Sequence, residues 1–171
     1  TEVTTNAAAL STDHLTLAEV FTELGYDTCA VIANESFLAP KYGLAQGFGR
    51  YDCKFEWVQG INARALAWVK EHKQGPFFLF LNYMDTHRPY NTTGREGFDI
   101  RKTKGVFKQL KDYLAKGEAP PAMKVKRLTD VYDLAMANLD EGLGELFDSL
   151  VEMGIYDEAL IILTADHGEY L

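Results

Sequence analysis

Phe77-Phe78-Leu79-Phe80-Leu81-Asn82-Tyr83-Met84-Asp85-Thr86-His87-Arg88-Pro89-Tyr90 opens with five consecutive apolar residues and closes with a polar, proline-punctuated tail. Five residues are too few for a helix. Apolarity at every position leaves no face for water, so the run reads as a central strand buried on both sides. Gly75-Pro76 ends whatever precedes it. Pro89 biases Arg88 toward an extended backbone. A buried strand that runs straight into Asp, His and Arg delivers chemistry-bearing groups to the edge of a sheet.

The elements on either side repeat the pattern. Upstream, Asp27 to Ala33 is a second buried strand, and Leu17 to Leu24 is a helix in front of it. Thr16 and Glu19 have the spacing of a capping box, Leu15 can staple onto Val20, and Gly25 is a natural stop. Residues 34–60 mix Gly43, Gly47, Gly49 and Gly60 with six aromatics and read as an ordered, irregular connection. A helix over about Ala63–His72 follows, with Asn62 as its N-cap.

Downstream, Leu128, Tyr132, Ala135, Leu139, Leu143, Leu146 and Leu150 recur at spacings of three and four, one apolar stripe on a long helix. Gly142 and Gly144 weaken it and Gly154 closes it. Ala159 to Thr164 then predicts a last strand leading into Asp166-His167-Gly168. Helices alternating with strands predict an α/β fold, a parallel sheet covered by helices on both faces.

Bulk properties bound the rest. At 171 residues, 47% apolar and 25% charged, the chain has the profile of one globular domain. A net charge of −8 argues against nucleic acid as a partner. It conceals an asymmetry. Residues 91–127 carry 10 Lys and Arg against 4 acids, and residues 128–171 carry 11 acids and no Lys or Arg. The basic stretch reads as a solvated, variable insertion at 91–120, with a short helix around Val106–Leu114, or as an attractor for an anionic substrate. No apolar run has the length of a membrane helix, and no leader opens the chain. Cys29 and Cys53 make no disulfide framework, and Cys29 sits in a strand as a small core residue.

Two strands are expected to end in clusters that hold both Asp and His: Asp85 with His87, and Asp166 with His167. In an open parallel sheet, ligands bind beyond the carboxyl ends of the strands. An Asp oxygen beside a His nitrogen suits a divalent cation. The same pair also reads as a helix cap with a local hydrogen bond. His87 and Arg88 could face an anion, or could be a loop histidine and a solvated arginine. His14 and His72 read as surface residues. No serine lies in G-x-S-x-G, no cysteine has the setting of a nucleophile, and no glycine-rich phosphate loop is present.

Two of these segments carry a resemblance. Thr164-Ala165-Asp166-His167-Gly168-Glu169 after an apolar strand, and His87-Arg88-Pro89-Tyr90 after another, resemble the sulfatase family within the alkaline-phosphatase superfamily. Thr16-Leu17-Ala18-Glu19 running to Gly25-Tyr26, Gly47-Phe48, and Tyr132 with Asp140 on the long helix add weaker support. The resemblance spans roughly residues 10–170. It implies that Asp166 ligates a divalent cation, Ca²⁺ in most of the family. It places His167 in the neighbouring coordination or sulfate-contacting position and His87 against the sulfate ester. Asp85 inherits no role and is expected to lie behind the groups that touch substrate.

The family's paired aspartates, its Cys-x-Pro-x-Arg or Ser-x-Pro-x-Arg motif, whose first residue becomes formylglycine, and a later sulfate-contacting lysine do not occur in the sequence. Residues 1–171 therefore read as part of a sulfatase catalytic domain with residues 1–14 as a loop, and the formylglycine nucleophile is expected upstream. The segment itself is expected to be inactive and to self-associate through unpaired sheet surface. Two other functions fit the residues. One is a related phosphodiesterase, phosphonate hydrolase or phosphoglycerol transferase; the other is a non-catalytic α/β module that binds an anion or a partner.

Overall fold

The computed structural model describes residues 9–93 and 115–168, together with Gly105, Lys108, Asp112 and Tyr113. Two compact units make up the chain, Thr1–Met84 and Asp85–Leu171.

The first unit holds a parallel three-stranded sheet in the order β2-β1-β3, with β1 Asp27–Ile32, β2 Arg50–Cys53 and β3 Phe77–Asn82. Parallel pairing aligns Thr28 with Phe78 and Ala30 with both Tyr51 and Phe80. Residues Thr28 to Ile32 of β1 are all buried, as a central strand with both faces covered requires.

The covers are α1 (Leu17–Glu23) and α2 (Val58–His72). Phe21 of α1 stacks on Phe78 with ring centroids 4.6 Å apart, and Trp68 of α2 meets Phe77 edge-on at 5.7 Å. Adjacent strand residues point to opposite faces, so α1 and α2 lie on opposite sides of the sheet. The expected α/β fold, with a parallel sheet sheathed on both faces, is what forms.

Local chemistry explains the joints. The capping box at Thr16 and Glu19 is complete: Glu19 N donates to Thr16 Oγ1 at 3.1 Å, and Thr16 N donates to Glu19 Oε2 at 2.8 Å. Leu15 stays exposed, so the staple adds little. Gly47 has φ +83°, and a Cβ there would meet the Glu19 backbone, so only glycine fits. Its carbonyl accepts from Thr22 Oγ1 and Thr28 Oγ1, tying the 34–49 connection to α1 and β1.

Four expectations change in this unit. Residues 50–53 form a strand rather than irregular chain, because their backbone pairs with β1. Helix α2 begins five residues early, at Val58, and Asn62 is buried inside it, accepting from Tyr83 Oη at 2.7 Å rather than capping. His72 is half-buried, stacked on Trp68 at 4.3 Å. The strand expected to be central, β3, is an edge among the described strands, with Phe80 exposed.

The second unit is built on α3 (Ala122–Glu152), a 31-residue helix. Leu128, Val131, Ala135, Asn138, Gly142, Leu143 and Leu146 are its buried residues, so its inner stripe is turned slightly from the expected one, with Tyr132 and Leu139 at the margin. Gly154, at φ +70°, follows the helix end as expected. Of the short helix expected around Val106–Leu114, Lys108, Asp112 and Tyr113 are helical, and the remainder lies outside the described residues.

The strand expected over Ala159–Thr164 does not form. A short 3₁₀ turn, Tyr156–Glu158, is followed by chain with no ladder partner among the described residues. Leu160 is 89% exposed, Ile162 77% and Leu163 71%. β propensity needs neighbouring strands to become structure, and nothing described pairs with this run.

Candidate functional site

β3 runs out at Asn82, and the chain turns into a loop with two kinds of residue. Asp85, Tyr90, Asn91 and Thr92 are buried, whereas His87, Arg88 and Pro89 between them are exposed. The buried ends are tied to each other. Asn91 N donates to the Asp85 carbonyl at 2.9 Å, and Asn91 Nδ2 donates to Asp85 Oδ1 at 2.7 Å. These two bonds close the seven-residue loop 85–91 at its neck. Thr93 N donates to Asn91 Oδ1 at 3.0 Å and fixes the exit.

The long helix holds the neck from outside. Tyr90 is fully buried with Val131 and Ala135, and its ring meets Tyr132 edge-on at 5.5 Å. One turn further along, Asn138 Nδ2 donates to the Asn91 carbonyl at 2.9 Å and to the Thr93 carbonyl at 3.3 Å. A buried carboxylate and two buried amides are tolerable only when hydrogen-bonded, and here they bond to one another and to the loop backbone.

At the tip, His87 Nδ1 lies 2.8 Å from the Arg88 carbonyl. A carbonyl oxygen only accepts, so Nδ1 carries the proton, and Nε2 is the nitrogen left for an outside group. Arg88 beside it adds an exposed positive charge. The Arg88–Pro89 peptide is cis.

The second cluster is different in kind. Asp166 and His167 have side chains 90% and 71% exposed. His167 N donates to Asp166 Oδ1 at 3.0 Å, its Nδ1 lies 2.7 Å from the Gly168 carbonyl, and its Nε2 lies 3.8 Å from Asp166 Oδ2. The local-bond alternative is thus the arrangement present, with both side chains at the surface. No group of three or more His, Cys, Asp or Glu able to hold a metal occurs among the described residues. Residues 159–164 are not a strand, so of the two clusters only Asp85 and His87 follow a strand of the sheet, β3.

The thiols are not poised for attack. Burial pushes the Cys29 thiol up to about 11, and burial also raises Cys53. Cys53 ends β2 and is partly covered, with its Sγ 3.8 Å from the Leu38 carbonyl. No helix among the described residues is long and apolar enough to cross a membrane.

Comparison with known proteins adds to this geometry. The family model described as Sulfatase matches residues 1–171. The chain belongs to the sulfatase family. It is 27% identical over 135 residues to the "Multifunctional alkaline phosphatase superfamily protein PehA" of Trinickia caryophylli. That match covers 63% of this chain and 26% of the relative, so the chain spans about a quarter of that protein's length. No solved structure matches.

Family membership agrees with the α/β architecture and with the two motifs singled out in the sequence. Asn91 and Asn138 were not singled out. Asn138 was legible in principle: it falls at the i+3 position from Ala135, inside an apolar helical stripe, and a polar residue there needs a specific partner. Its partners lie more than forty residues away in the chain, which no local pattern reveals.

Proposed function

We propose that this sulfatase-family segment contributes to a metal-dependent sulfuric ester hydrolase, with His87 contacting the sulfate ester and Asp166 and His167 contributing to a divalent cation site. The observation that carries the reading is the loop after β3. It presents an exposed imidazole with Nδ1 already committed and Nε2 left over, on a neck in which Asp85, Tyr90, Asn91 and Thr92 are buried.

His87 would bind through Nε2. When that nitrogen is protonated it donates to a sulfate oxygen, and its strength grows as negative charge develops there. Nδ1 bonded to the Arg88 carbonyl fixes the ring while Nε2 works. Arg88 raises the positive potential at the same tip, which favours an anion.

The Asp166 and His167 donors fit a divalent cation in kind, a carboxylate oxygen with an imidazole nitrogen at an accessible position. They fall short in number, since Ca²⁺ takes about six to eight ligands. The rest of the shell, and the formylglycine nucleophile, would come from other parts of the whole enzyme. The cation would supply charge neutralisation at the sulfate oxygens. The isolated segment is accordingly expected to be inactive.

A second reading has its own support. The relative's name describes a multifunctional member of the alkaline phosphatase superfamily, so phosphodiester or phosphonate ester hydrolysis by the whole enzyme is the competing assignment. Comparing kcat/KM for 4-nitrophenyl sulfate, bis(4-nitrophenyl) phosphate and a phenylphosphonate ester distinguishes them. The sulfate ester is expected to be preferred, and a preference for either phosphorus ester would replace the assignment.

In the same enzyme, Asp166→Asn is expected to lower sulfate-ester hydrolysis by about 10³-fold, the loss of several kcal/mol of charge stabilisation. A near-normal rate would remove Asp166 from the metal site.

A further inference from the structure

We propose that Asn138 is a positioning residue for His87, acting across the loop neck through Asn91 and Asp85. The proposal rests on the reading above that His87 contacts the ester. His87 makes one polar contact of its own within the loop, to the adjacent carbonyl, so its place in space is set by where the neck is held. Asp85 and Asn91 flank it from two residues before and four residues after, and they are bonded to each other by both backbone and side chain. The neck therefore moves as one piece.

Asn138 attaches that piece to α3. Its amide nitrogen reaches two carbonyls, those of Asn91 and Thr93, and both can only accept, so the nitrogen rather than the oxygen must face the loop. The residue sits in line with Val131, Ala135 and Gly142 on the buried face of the helix. The Asn138 amide both satisfies these carbonyls and fixes one geometry for the loop. Tyr90 anchors the loop by packing, and Asn138 sets its register along the helix.

The test is a double-mutant cycle in the whole enzyme with 4-nitrophenyl sulfate. Asn138→Leu is expected to lower kcat/KM by about 100-fold, the scale of a misplacement near 1 Å, with the circular dichroism of a folded protein and a melting temperature lowered by the two carbonyls left unpaired. His87→Ala should lose at least as much. The variant carrying both changes should be no slower than His87→Ala alone, because a misplaced residue that is already gone cannot lose further. Where Asn138→Leu does not fold, Asn138→Ser, too short to reach both carbonyls, goes through the same cycle.

Losses that multiply in the double variant would mean that Asn138 acts independently of His87 and would overturn the proposal. So would a full rate in the Asn138 variant beside a dead His87→Ala enzyme. A full rate in His87→Ala itself would remove the sulfate-contact reading first and this proposal with it, a pattern distinguishable from the other two.

Discussion

The two segments that carry the candidate chemistry are in opposite physical states. Residues 85–93 have a buried carboxylate and a buried amide bonded in a closed neck, a second amide reaching them from α3, and a tyrosine sunk against that helix. Residues 159–168 have an apolar run facing water, no ladder, and two candidate ligands bonded mainly to their own neighbours. Both segments show the same sequence device, apolar residues stopping at Asp and His. The difference lies in their partners. The first has a helix within its own unit that supplies an apolar wall and a hydrogen-bond donor. The second has no neighbouring strand among the described residues to turn its apolar run into a buried one, and two ligands at the surface hold a cation weakly.

The comparison breaks most visibly at Tyr90. Tyr90→Ala should destabilise the fold by about 3–5 kcal/mol, as for other fully buried aromatics truncated to alanine. Chemical denaturation followed by circular dichroism checks this, and a loss below about 1 kcal/mol would mean that the loop is not anchored through this ring. The matching change in the other segment, Ile162→Ser, should stay within about 0.5 kcal/mol, because its side chain is already largely in water.

Much of the fold was legible in the sequence, and the reason is local. The Phe77–Leu81 run, the capping box at Thr16 and Glu19, the α3 periodicity and the glycine stop at Gly154 are decided by neighbours a few residues away. The strand at Arg50–Cys53 was not legible, because its four residues become a strand by pairing with β1 rather than by their own pattern. The early start of α2 was hidden by Gly60, a weak helix former that here sits inside the first turn. At the candidate site, His87, Asp166 and His167 were singled out by residue type. Asn91 and Asn138 were not, since Asn138 meets the loop only through the tertiary fold.

Hydrogen exchange sharpens the contrast without mutation. The Asn91 amide, bonded to the Asp85 carbonyl inside a buried neck, should exchange far more slowly than the amides of Ile161 and Ile162. Comparable rates in the two segments would remove the distinction drawn here.

A smaller effect concerns association. An apolar run with Leu160, Ile162 and Leu163 in water favours contact with another surface. Light scattering of the isolated segment should show a mass above the monomer that falls when Leu160 and Ile162 are changed to serine. A monomer at all concentrations would argue against self-association.

The measurement closest to the central claim is kcat/KM of His87→Ala toward 4-nitrophenyl sulfate in the whole enzyme. A fall of about 10²–10³-fold, the usual cost of losing one positioned donor to developing charge, with the melting temperature unchanged, is the predicted result. A rate equal to wild type would contradict the assignment of His87 to the sulfate ester.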